Sequence, residues 1–172
     1  MKKLVKDIAV ISLVSGLALF VSGCDTYGPG KYTGGGVMES AVDADVKATL
    51  GFNMQALDKN EDGEIETVKG QLQYKDRGAN EEFPKGRSFH GVITGGSVKT
   101  TMCGNSTGEF EGTYKPQPKG ESGTFTVTVF DAGEPGPSEE DSFTIALEGG
   151  AYHGYMNSGL LSNGNIKYHP AD

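Results

Sequence analysis

Oxygen-bearing side chains concentrate in one short stretch of this chain, Asp58-Lys59-Asn60-Glu61-Asp62-Gly63-Glu64-Ile65. Carboxylates and an amide recur at alternate positions, and a glycine follows for a sharp turn. The pattern matches the first half of a calcium loop, with Asp58, Asn60 and Asp62 as side-chain ligands and Glu64 offering its carbonyl. Calcium takes about six to eight oxygens, so alternate side chains on a tight loop can converge on one ion. Glu66 stands at the ninth position and adds a further carboxylate. The twelfth position, where a bidentate Glu belongs, is Lys69. Apolar residues at period two flank the loop, so strands and not helices are expected on either side. The competing reading is an acidic hairpin turn, in which Asp, Asn and Gly serve conformation alone.

A second candidate is Asp131-Ala132-Gly133-Glu134-Pro135-Gly136. Asp131 and Glu134 on a Pro/Gly turn are placed to bind a cation or a sugar hydroxyl. The same residues also suit a plain hairpin. Other chemistry is thin. His90, His153 and His169 form no HxH or HxxxH pair, and zinc needs three or four converging ligands. Ser158 and Ser162 lack a nucleophile-elbow setting. No carboxylate pair is marked out as acid and base, and Gly34-Gly35-Gly36 precedes no phosphate-binding Lys-Ser/Thr. No catalytic residue is assigned, and a non-enzymatic role is expected.

The elements that position these residues are strands. The chain has 27 Gly and no Trp, and Thr, Val, Phe and Tyr alternate in short runs, which fits an all-β fold rich in turns. Period-two patterning predicts strands over residues 46–57, 65–74, 87–94, 97–103, 107–114, 124–130, 142–147, 151–155 and 165–169. The clearest is residues 124–130, with Phe125, Val127 and Val129 on one face and Thr124, Thr126 and Thr128 on the other. Short turns between consecutive strands argue for an antiparallel meander of about eight to nine strands, closed into a barrel or folded into a sandwich. Residues 25–45 read as a flexible, Gly-rich tether, of which residues 36–41 are able to pair as an edge strand. The β domain proper is expected over residues 46–172.

The N-terminus sets the address. Lys2, Lys3 and Lys6 precede an apolar run over residues 8–21, shorter than the roughly 20 residues of a comfortable membrane span. The run ends in Val21-Ser22-Gly23-Cys24, which resembles the bacterial lipobox. That resemblance implies removal of residues 1–23 as a signal peptide, a diacylglyceryl group on the Cys24 thiol and an acylated new amine. Each buried methylene contributes about 0.8 kcal/mol, so one acyl chain binds reversibly and two hold. Asp25 is similar to a signal for retention in the inner membrane. The expected place is a cell membrane or outer membrane, on the periplasmic or exterior side.

Removing residues 1–23 takes the net charge from −8 to −10. An acidic chain without a basic cluster is a poor polyanion binder, so nucleic acid is excluded as a partner. With Cys24 committed to lipid, Cys103 has no internal disulfide partner and is expected as a buried thiol.

Three ordered segments resemble a bacterial extracellular β module, the post-COAP domain. They are residues 47–53 (Lys47-Ala48-Thr49-Leu50-Gly51-Phe52-Asn53), residues 70–78, and residues 125–136 continuing into Asp141-Ser142-Phe143-Thr144-Ile145. The ending, Gly159-Leu160 with residues 164–169, is similar as well. The first hairpin departs from the pattern in being longer and acidic, and Ser138-Glu139-Glu140 is extra. The resemblance implies a secreted accessory β domain and carries no residue-by-residue chemistry. The leading expectation is a lipid-anchored envelope domain that binds an envelope protein or glycan or plays a structural role, with calcium at residues 58–66 as a possible stabiliser. The alternatives are a barrel carrying a small apolar or lipid ligand and a secreted hydrolase using a carboxylate site.

Overall fold

The computed structural model describes residues 26–60, 64–100, 105–133 and 141–171. The signal segment, Cys24, Asp25, Asp62, Cys103 and Glu134 lie outside the described residues. The chain is all-β. Its strands are β1 (Thr26–Tyr27), β2 (Gly30–Glu39), β3 (Lys47–Leu57), β4 (Thr67–Asp76), β5 (Arg87–Thr100), β6 (Ser106–Pro116), β7 (Gly123–Asp131), β8 (Ser142–Glu148), β9 (Met156–Leu160) and β10 (Asn163–Pro170). They form one antiparallel sheet in the order β10-β2-β3-β4-β5-β6-β7-β8-β9, with β1 paired to β5.

Inward residues follow period two as the sequence requires. Ala48, Leu50, Phe52 and Met54 of β3 are buried, as are Phe125, Val127 and Val129 of β7. The strands expected over residues 87–94 and 97–103 are joined in the long β5, whose register shifts at a bulge between Ile93 and Gly95. Gly96 has φ 147°, a conformation that side chains with a Cβ resist, and it carries the strand through the bulge. The strand expected over residues 151–155 is instead a 3-10 turn (Gly150–Tyr152) and a loop, and the missing strand is β9 just after it. Tyr152 and Tyr155 are both buried, three residues apart, a spacing that suits a turn and not a pleat.

The tether is corrected too. Residues 30–39 are β2, an interior strand paired to β10 on one side and to β3 over ten residues on the other. Tyr32 and Met38 anchor it in the core. Its glycines serve close packing, not flexibility: a Cβ on Gly34 would strike the Phe52 ring, and one on Gly36 would strike the Asn163 carbonyl. The sheet therefore begins at Thr26, far ahead of residue 46.

The sheet curls until its edges meet. Every pairing from β10 round to β9 is antiparallel, and an even number of steps separates them, so β9 and β10 run the same way. They act as one bent strand: its first half pairs with β8 and its second half crosses to β2. At the bend, the Leu161 N–H donates to the Asp141 carbonyl and the Ser162 N–H to the Val37 carbonyl. The enclosed space is filled. Ring contacts run unbroken from Phe110 through Phe52, Phe143, Tyr74, Phe89 and Tyr114 to Tyr152, with centroids 5.2–6.2 Å apart. Each buried ring contributes about 1.5–3 kcal/mol by burial, and each ring pair about 0.5–1.5 kcal/mol more.

The curled sheet has two ends. The near end is where the chain joins the sheet, through Thr26 and Tyr27 beside Thr100 and Lys99. It also holds residues 58–60, 64–66, 132, 133 and 141. The far end, about 30 Å away along a ten-residue strand, holds residues 40–46, 77–86 and 149–155.

Candidate functional site

The residues singled out from sequence lie at the near end. In the β3–β4 loop, the Asn60 N–H donates to Asp58 Oδ1 (3.1 Å), closing an Asx turn. The Glu66 carboxylate accepts the Lys59 N–H (2.5 Å) and the Asn60 side-chain amide. The Glu66 N–H donates to the Leu57 carbonyl (3.0 Å), which continues the β3–β4 ladder. Asp58, Asn60 and Glu66 are thus brought together by turn hydrogen bonds, and Glu64 is exposed beside them. Among the described residues, no three His, Cys, Asp or Glu side chains converge as metal ligands.

Asp131 is buried at the end of β7, and Asp141 is buried just ahead of β8. Asp131 accepts the Gly133 N–H (2.8 Å) on one oxygen and the Tyr168 N–H (2.7 Å) on the other. Asp141 likewise accepts the Ala132 N–H (3.1 Å) and the Ile166 N–H (2.7 Å). These two carboxylates satisfy the free edge of β10, so they stitch the seam where no ladder forms. The three histidines are dispersed. His90 is exposed on β5, His153 accepts the Gly149 N–H at Nδ1, and His169 Nε2 meets Thr33 Oγ1 at 3.0 Å. Ser158 pairs with Thr144 across β8 and β9 at 2.7 Å.

The far end holds a polar group that sequence reasoning missed. Asp76, fully buried at the end of β4, accepts the Tyr155 hydroxyl (2.6 Å) and the Gly78 N–H (2.7 Å). Because the single Tyr155 proton goes to the carboxylate, Tyr74 donates to the Tyr155 oxygen (2.8 Å). Asn157 then donates to Tyr74 (2.8 Å) and to the Glu39 carbonyl (2.9 Å) on β2. The chain of bonds runs one way, from Asn157 to Asp76, and ties β9 to β2 and β4. Burial pushes the Tyr74 phenol up to about 12. The Tyr155 phenol is raised much further, by burial and by the Tyr74 and Asp76 charges and hydrogen bonds. Both stay protonated at neutral pH, as donors must.

Arg87, opposite Asp76 in the β4–β5 register, is 8% exposed. Its guanidinium carbon lies 4.1 Å from the Phe83 ring centroid and 4.9 Å from that of Tyr155. Its Nε and Nη1 are buried and have no hydrogen-bond partner. It lines a cleft of about 510 Å³ with Ala41, Val42, Glu82, Phe83 and residues 150–156. Residues 149–152 are pinned behind the cleft: Tyr114 donates to the Gly149 carbonyl (2.7 Å) and accepts the Tyr152 N–H (3.0 Å). The period-two pattern does carry a signal for these groups. Asp76 is in phase with Leu72 and Tyr74, and Arg87 with Phe89 and Ile93, so both charges point inward at strand ends.

No protein-family profile matches the chain, and neither a curated protein nor a solved structure does. Among the described residues, no helix is long and apolar enough to cross a membrane.

Proposed function

We propose that the chain is a cell-envelope lipoprotein, held to a membrane through Cys24, whose β domain has a non-catalytic binding role at the end of the sheet far from the anchor. The observation that carries this reading is the placement of Thr26 and Tyr27. They join the sheet at the near end two residues after Cys24, whereas the Arg87 cleft opens at the opposite end. A short link and a domain some 30 Å long would hold the cleft out from the lipid surface. The lipobox-like Val21-Ser22-Gly23-Cys24 supplies the anchor, and Asp25 favours the inner membrane in this reading. An accessory domain of the post-COAP type, meeting an envelope protein or glycan, is consistent with it.

The interior, packed by one continuous cluster of buried apolar side chains, favours surface binding over carriage of a ligand inside the sheet. The buried carboxylates favour a non-catalytic role, because Asp76, Asp131 and Asp141 each have both oxygens engaged by donors. We read the contacts that Glu66 makes with Lys59 and Asn60 as turn hydrogen bonds that need no calcium.

Proteoliposomes test the orientation. In a Cys103→Ala background, a fluorophore is placed at Asp58 or at Val42, with quencher attached to the lipid headgroups. Quenching at Asp58 but not at Val42 is the expected result. Equal quenching, or a chain that leaves the membrane fraction with Cys24 unmodified, would overturn the proposal.

A further inference from the structure

We infer that the far-end cleft is a binding site for an organic monocarboxylate, with Arg87 as the group that receives the carboxylate. The inference deepens the proposed function, since it names the chemistry of the end taken there to be the working one. It begins from an imbalance. A guanidinium carries five N–H donors and stays charged at every relevant pH. Arg87 is more than nine-tenths buried, its Nε and Nη1 lack partners, and no carboxylate among the described residues forms an ion pair with it. Asp76, opposite in register, offers a buried negative charge, but its oxygens take their hydrogen bonds from Tyr155 and Gly78 and none from the guanidinium. A cation buried without hydrogen bonds is costly, and the contacts to Phe83 and Tyr155 offset only part of that cost. A ligand that brought an anion to the cleft would meet the guanidinium at Nη2, which is not among its buried unpartnered nitrogens, and would offset the charge.

The cleft also says which anion. Arg87 is the one permanent cation in the lining, and His153 beside it already faces Glu148, so a single negative charge is what the cleft can match. The chain is acidic overall and Glu82 stands on the rim, so a dianion such as phosphate monoester would be left with uncompensated repulsion. The lining presents more polar than apolar surface, and its apolar part comes from Ala41, Val42, Phe83, Ala151 and the exposed Met156. A carboxylate suits the guanidinium at Nη2, and a small apolar body suits the part of the lining formed by Ala41, Val42 and Met156. The volume of about 510 Å³ falls within the range of sites for small molecules. Such a group comes either from a small organic acid or from the free C-terminus of a peptide with an apolar last residue. The cleft is preorganised for either, because Tyr114 and Tyr152 fix the segment that forms one wall.

Calorimetric titration of the full chain in detergent micelles tests the assignment. The probes are 3-phenylpropanoate, its uncharged amide, and a tetrapeptide ending in Phe with a free or amidated C-terminus. The expected result is saturable binding of at least one free carboxylate, weakened about tenfold or more in the matching amide. Saturation by phenylpropanoate assigns a small acid, and saturation by the free peptide alone assigns a chain terminus. Arg87→Met should abolish binding, as should Met156→Glu, which adds a negative charge at an exposed rim position and spares the core. If Arg87→Met fails to fold, Met156→Glu decides. Absence of saturable binding by either acid, equal binding of acid and amide, or binding that survives the variants would overturn the site. None of these outcomes bears on the anchor, because binding in micelles does not depend on lipid at Cys24.

Discussion

Asp131 and Asp141 at the near end accept four backbone N–H groups between them, all within 3.1 Å, while Arg87 at the far end has two buried nitrogens with no acceptor at all. Both ends bury charge at inward positions of strand termini. The near-end charges are saturated by the chain itself, and they close a seam that strand pairing leaves open. The far-end cation is left unsatisfied beside a cleft. A buried charge whose bonds are all internal is part of the fold, and one whose bonds are missing points outward, to something that the fold alone does not provide.

The largest effect is expected where the seam is stitched. Asp141→Ala would strand the Ala132 and Ile166 N–H groups, and it should lower unfolding free energy by about 3 kcal/mol, measured by urea titration. A loss below a few tenths would mean that water closes the seam as well as the carboxylate does. Next comes the polar chain that links the two halves of the far end. Tyr155→Phe removes the donor to Asp76 and the acceptor of Tyr74, and about 1–2 kcal/mol should be lost. The same network sets an alkaline limit. Its phenols hold their protons more tightly folded than unfolded, so their stabilisation is fully present below pH of about 10, the ordinary phenol value, and is lost as pH rises through about 12. Wild type should therefore lose stability steeply above pH 10, and Tyr155→Phe less steeply, in a pH series of melting temperatures.

The period-two alternation of β3, β7 and β8 was plain in the sequence, and it was enough to set the all-β meander. The seam was not legible. Nothing in the run from Met156 to Pro170 marks the bend at which one strand leaves β8 for β2, because the crossing is decided by edges far away in sequence. Residues 30–39 misled for a related reason: three successive glycines look like slack until Phe52 and Asn163 are known to press against two of them. Asp131 was noticed as a carboxylate on a turn, but its role on the seam needed Tyr168, a partner 37 residues on. Asp76 and Arg87 were readable in principle, as charges in the phase of Tyr74 and Phe89. A period-two reading that counts apolar residues alone passes over them.

A smaller effect is expected at the β3–β4 loop. Glu66→Gln weakens the bonds from Lys59 and Asn60 at an exposed turn, and it should cost about 0.5–1 kcal/mol. Millimolar calcium should leave the melting temperature of wild type unchanged. A clear rise, lost in Glu66→Gln, would show that the loop works through a metal and not through its own hydrogen bonds.

The smallest stability change is expected at the residue with the largest role in binding. Paired urea titrations of Arg87→Met and Asp141→Ala put the contrast between the two ends to the test most directly. The account predicts that Arg87→Met stays within about 1 kcal/mol of wild type or gains stability, since an unpartnered buried cation is replaced by an apolar chain of similar length. Asp141→Ala, in the same experiment, should unfold at distinctly lower urea. A loss on Arg87→Met as large as that of Asp141→Ala would contradict the account, for it would make Arg87 a structural cation like the carboxylates of the seam.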